Sequence, residues 1–169
     1  GHGHRASLGP RHAQPGLDPA VVRAVVGQQL DALHPDPAAD EHVVELAQSA
    51  CGGSLIGARV TVLGAAFKPN SDDLRDSPAL DVASRVAGLG AEVVVTDPAA
   101  LDNVRRTRSD LTVADDAFDA ARDADVVLLL TEWREYVDLD PQALGAVVRH
   151  RRVIDGRNAL DPTAWRAAG

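Results

Sequence analysis

The chain has 169 residues, 45 % of them apolar, with 25 acidic and 17 basic side chains and a formal net charge of −8. That length holds one domain with a real core, and without a run of about 18 apolar residues the chain has no membrane-spanning helix. The charge excludes nucleic acid as the main partner, because a phosphate backbone needs a basic face, but it leaves room for a small anionic ligand wherever a few cations converge.

Residues 1–16 are rich in His, Gly and Pro without periodicity, which predicts disorder. His2, His4 and His12 lie there with no rigid geometry to hold a metal, so no metal site is expected. Asp18 and Pro19 suit the start of a helix from about Pro19 to Leu33, with Val21, Val22, Val25, Val26, Leu30 and Leu33 on its apolar side. His34-Pro-Asp-Pro breaks it. The N-terminus has no apolar signal segment, and Cys51, the single cysteine, has no partner for an internal disulfide. Both features predict a cytoplasmic protein.

From residue 42 the pattern sharpens. Glu41–Ala50 reads as a helix stopped by Gly52-Gly53. Strands are predicted at Arg59–Leu63, Ala91–Thr96, Leu111–Val113, Asp125–Leu130 and Arg152–Ile154. Helices fall between them: Pro78 to about Leu89 capped by Ser77, Ala117–Arg122, Pro141–Val148 capped by Asp140, and Pro162–Ala168. Strands alternating with helices predict an α/β, Rossmann-like fold with a parallel sheet of about five strands in the order 3-2-1-4-5.

In such a sheet ligands sit beyond the carboxyl ends of the strands, at the switch point beside the first. Four polar segments follow the strand ends: Phe67 to Arg75, Asp97-Pro98, Thr131-Glu132-Trp133, and Asp155-Gly-Arg157-Asn158. Lys68 is the only lysine among the 17 basic residues, the rest being arginines. A position that keeps Lys against that bias calls for a compact ammonium on a flexible stem. Lys68, Arg75 and Arg157 are the candidate anion-binding cations. Asp97-Pro98 reads first as a turn. The loop Gly64-Ala-Ala-Phe-Lys-Pro lacks the later glycines of a dinucleotide fingerprint and the Gly-Lys-Ser/Thr ending of a P-loop. Recognition by side chains, with Lys68 on a phosphate and Phe67 as an apolar surface, is therefore expected. A phospho-acceptor receiver built on Asp72, Asp73 and Lys68 fits poorly, because these residues share one loop where separate strand ends are needed.

The run Val62-Leu-Gly-Ala-Ala-Phe-Lys-Pro-Asn-Ser-Asp-Asp-Leu-Arg-Asp-Ser-Pro-Ala-Leu resembles the C-terminal domain of the UDP-glucose/GDP-mannose dehydrogenases. So do Thr96-Asp-Pro-Ala-Ala, Leu130-Thr-Glu-Trp-Arg-Glu-Tyr and Val153-Ile-Asp-Gly-Arg-Asn-Ala-Leu-Asp, and the Glu-Trp and Asp-Gly-Arg-Asn motifs look most like the UDP-glucose 6-dehydrogenase branch. The resemblance implies that residues 42–169 form a UDP-sugar-binding domain in which Phe67, Lys68 and Arg157 contact UDP-glucose or a related UDP-sugar. It implies that Arg75 reaches NAD, which a separate N-terminal domain holds. The reaction it implies is two successive NAD-dependent oxidations of the sugar C6 alcohol to a carboxylate, through a cysteine thiohemiacetal and thioester, in a homo-oligomer that serves polysaccharide biosynthesis.

Within these residues there is no NAD fingerprint and no catalytic-cysteine motif, and residues 1–41 do not match the family. No catalytic residue is therefore assigned, Cys51 is expected to be incidental, and the sequence is expected to be a partial chain that is inactive alone. The alternative is a stand-alone Rossmann-like binding or interaction module without turnover.

Overall fold

The computed structural model describes residues 21–23 and 37–168. In chain order the elements are β1 (Val21–Arg23), α1 (Pro37–Ala50), β2 (Arg59–Leu63), α2 (Pro78–Gly88), β3 (Glu92–Thr96), α3 (Leu101–Thr107) and β4 (Thr112–Val113). Then follow α4 (Ala117–Ala121), β5 (Val126–Leu129), α5 (Arg134–Val137), α6 (Pro141–Val147), β6 (Val153–Asp155) and α7 (Pro162–Ala167). The strands form one parallel sheet in the order β1-β6-β5-β2-β3-β4. Counted from β2, the five strands from β2 to β6 have the expected order 3-2-1-4-5.

The capping signals operate as the side-chain chemistry dictates. Ser77 Oγ accepts from Leu80 N ahead of Pro78, Asp140 from Gln142 N ahead of Pro141, and Asp161 from Thr163 N ahead of Pro162. Each satisfies an orphan amide at a helix start whose first residue has no N–H to lose.

The two faces of the sheet divide by strand periodicity. Val60, Val62, Val93, Val95, Val126, Leu128 and Ile154 pack with α1 and α2 through Val43, Val44, Ala47, Val82 and Val86. Leu63, Val127, Leu129 and Val153 pack on the other side with Ala117, Ala121, Tyr136, Leu144 and Trp165. Thr61, fully buried among apolar neighbours, donates Oγ1–H to Ala120 O at 2.6 Å, so no hydroxyl is stranded. Strands buried on both faces explain the near-continuous Val and Leu runs.

Three elements depart from the sequence reading. Residues 21–23, expected within a helix, form a strand in register with β6, Val21 opposite Val153 and Arg23 opposite Asp155. Two successive β-branched residues suit a strand, and the free edge of β6 offers the backbone partners that a helix face cannot. The rest of that expected helix, the expected disorder of residues 1–16, and His2, His4 and His12 lie outside the described residues. The short helices α3 and α5, which the pattern did not signal, fill the connections after β3 and β5.

Candidate functional site at the carboxyl edge of the sheet

β2 lies between β3 and β5, the point at which the chain order reverses. Gly64 turns the chain out of β2 at φ +102° and donates its N–H to Thr96 O at 2.9 Å. A Cβ at this position would run into Thr131 beyond β5. The glycine thus serves both a left-handed turn and a close approach between the two loops that flank the switch point.

One carboxylate ties this edge together. Asp97, 2 % exposed at the end of β3, accepts Ala65 N and Ala66 N on Oδ2 at 2.8 and 3.0 Å, and Trp133 Nε1 on the same oxygen at 3.2 Å. Its Oδ1 accepts Ala99 N and Ala100 N at 2.9 and 2.8 Å. The turn anticipated at Asp97-Pro98 is present, but the side chain also joins the loops after β2, β3 and β5. Neighbouring bonds complete the clamp: Ser77 Oγ donates to Ala65 O at 2.6 Å and Thr131 Oγ1 to Ala66 O at 3.0 Å. Tyr136 is buried beside the same carboxylate. Its hydroxyl lies near Thr96 but makes no hydrogen bond of normal geometry, and burial, then the charge of Asp97, push its pKa up.

The amides of Ala65 and Ala66 are those that a dinucleotide pyrophosphate would occupy at a first βα turn. Here Asp97 takes both, so neither amide is left for a phosphate. The turn does not fit NAD.

The predicted cations emerge around this frame. Phe67, half-buried, is fixed by its N–H to Asp73 O at 2.9 Å, and Lys68 is exposed beside it. Arg75 does not stand free: Nε and Nη2 donate to Asp73 Oδ1 and Oδ2 at 3.0 and 2.9 Å. The Arg75 hydrogen bonds, followed by smaller contributions that include the charge of Lys68, bring the Asp73 carboxyl down to about 2. The hydrogen bonds to Asp73, then its charge, raise the Arg75 guanidinium in turn. Arg157 follows β6. Asp155, fully buried, accepts Arg157 N at 3.0 Å and Leu160 N at 2.8 Å, and Arg157 Nε donates to Glu132 Oε2 at 2.5 Å. The structure therefore sets Phe67, Lys68 and Arg75 on one loop and joins Arg157 to the segment after β5. The Glu132–Arg157 pair and the reach of Asp97 are what sequence reading missed, although both acids stand in the strand-end segments it singled out.

Cys51 lies elsewhere. It lines an open hollow of 390 Å³ with Gly57, Ala58, Asp125, His150 and Arg152, at the amino ends of β2, β5 and β6. Burial, then Asp125, raise its thiol pKa against the opposing effect of Arg152, which is the reverse of an activated nucleophile.

Comparison with known proteins agrees with this geometry. The family model for the UDP-glucose/GDP-mannose dehydrogenase family, UDP binding domain, matches residues 61–162. UDP-glucose 6-dehydrogenase of Rhizobium meliloti is 39 % identical over 110 residues, covering 65 % of this chain and 25 % of the relative. UDP-glucose 6-dehydrogenase AglM of Haloferax volcanii is 45 % identical over 106 residues, 63 % of this chain and 24 % of the relative. The chain thus spans about a quarter of the length of these relatives. Among solved structures, a UDP-glucose dehydrogenase from Pyrobaculum islandicum superposes with a TM-score of 0.66 and 32 % identity, over 75 % of this chain and 28 % of that one. The matched residues run from β2 through the Asp97 clamp to the start of α7, and the chain belongs to the UDP-glucose/GDP-mannose dehydrogenase family as its UDP-binding domain.

Proposed function

We propose that the carboxyl edge of this sheet binds the UDP moiety of a nucleotide sugar, with UDP-glucose the first candidate, and that Lys68 and Arg157 supply the charges that meet it. The observation that carries this reading is the placement of cations. In a chain of net charge −8, Lys68 is exposed and Arg157 is braced on the edge where an α/β sheet takes its ligands. Phe67 supplies an apolar surface for the base or sugar. Arg75, held by Asp73 on an exposed loop, faces NAD bound by a separate domain. Residues 42–169 act as the UDP-binding unit, to whose sheet β1 adds an edge strand. The whole protein is then a cytoplasmic, NAD-dependent UDP-glucose 6-dehydrogenase that oxidises C6 of the sugar for polysaccharide biosynthesis.

The relatives named for UDP-glucose at 39 and 45 % identity support that sugar over others. The occupied amides of Ala65 and Ala66 argue against NAD on this domain. Isothermal titration with UDP, UDP-glucose and NAD tests the proposal. UDP and UDP-glucose should bind and NAD should give no comparable heat; tighter binding of NAD would overturn it.

A further inference from the structure

We propose that Glu132 is a positioning residue that aims the Arg157 guanidinium at an anionic ligand, an inference that rests on the UDP-binding reading above. The backbone of Glu132 is held between two anchored neighbours. Thr131, fully buried, is tied to Ala66 O, and Trp133, 6 % exposed, is tied to Asp97 Oδ2. With its backbone so anchored, Glu132 presents its carboxylate to Arg157 from a fixed base.

Arg157 is fixed at its other end as well. Asp155 holds its backbone N–H, and Gly156 N donates to Leu129 O at 2.9 Å. A Cβ on Gly156 would press on that same carbonyl at 3.1 Å. Backbone and side chain are thus both pinned.

The choice of nitrogen is informative. Glu132 engages Nε at 2.5 Å, and among the described residues neither terminal nitrogen of Arg157 makes a hydrogen bond to the protein. A guanidinium held by Nε keeps its two terminal amines for a bidentate anion. The side chain is only 18 % exposed and Glu132 36 % exposed, so screening of the pair by solvent is limited. A flexible arginine would lose rotamer freedom on binding, and the brace removes that cost beforehand.

A simple charge argument predicts the opposite, since a carboxylate beside an anionic ligand repels it and its removal should tighten binding. Titration of UDP against wild type, Glu132→Gln, Glu132→Ala, Arg157→Ala and the Glu132→Ala/Arg157→Ala double variant separates the two. Expected are about tenfold weaker UDP binding for Glu132→Ala, the scale of one charge-assisted hydrogen bond, and partial recovery for Glu132→Gln, whose carbonyl still accepts the Nε proton. In the Arg157→Ala background, Glu132→Ala should change nothing further. Unchanged or tighter binding by Glu132→Ala, or an equal loss in both backgrounds, would overturn the role of Glu132 alone. Wild-type protein that does not bind UDP overturns the functional reading and this inference with it.

Discussion

The two ends of the sheet use their acids in opposite ways. At the carboxyl edge, Asp97 and Asp155 spend their oxygens on backbone amides and one indole and, among the described residues, on no side-chain cation. At the amino edge, Asp125 takes Arg59 N at 2.8 Å and also draws in Arg149 at 3.4 Å and His150 at 3.7 Å, while Arg152 is committed to the carbonyl of Ala50. A carboxylate that shapes loops through amides leaves nearby cations for a ligand. One that collects guanidinium and imidazole groups consumes them. On the proposed reading the first edge receives an anion, with Arg75 and Arg157 each held by one acid, whereas the second pairs its acid with its own cations.

The comparison breaks first at Asp97. Asp97→Ala leaves five N–H donors of a closed site without their acceptor, and should cost about 3 kcal/mol or more in urea denaturation. Asp125→Ala, at a side chain 13 % exposed, should cost about 1 kcal/mol. Equal losses would show that the two acids do the same work. Next comes Lys68→Ala, expected to weaken UDP binding by about 1.5–3 kcal/mol while leaving the denaturation midpoint in place, because an exposed loop lysine holds no core together. An unchanged dissociation constant rules that contact out.

A smaller effect concerns pH. The native Asp73 carboxyl is depressed to about 2, below the ordinary value of about 3.9 in an unfolded chain. Its contribution to stability is therefore present above pH ~4 and lost as pH falls through about 2. Carbon-detected NMR titration should find the native midpoint near 2 in wild type and higher in Arg75→Ala, which loses the guanidinium but keeps the backbone N–H on Asp73; matching midpoints would deny the side-chain pair in solution. The smallest expected effect is at the amino edge. Cys51→Ser should leave UDP affinity unchanged, and residues 1–169 alone should form no NADH from UDP-glucose and NAD, since no thiolate nucleophile faces the ligand edge. Turnover lost on Cys51→Ser would overturn that assignment.

Much of this was legible in the sequence because local rules agree with the global fold. The caps at Ser77 and Asp140 and the apolar run at 126–129 mark elements by chemistry that acts within a few residues. Strand alternation with helices then fixed the sheet order. The strand at 21–23 was not legible, because two valines fit either period and only the open edge of β6 decides between them. The Glu132–Arg157 pair is equally invisible to local rules, since it spans 25 positions and depends on how β5 and β6 present their ends. Asp97 shows the limit most clearly. Asp-Pro signals a turn, whereas three of its five bonds go to residues more than 30 positions away.

β2 and β5 are adjacent in the sheet although Val60 and Val126, which face each other, are 66 positions apart. Closing so long a loop is entropically slow, and the strands between must be laid down on the far side of β2 before it is rewarded. The close contact between Gly64 and Thr131 therefore comes into being only when β2 and β5 pair. On the proposed reading, a ligand on this edge acts as a clasp on the finished topology: it binds the completed sheet and no partly assembled one, so its concentration raises the apparent stability of the closed central pair.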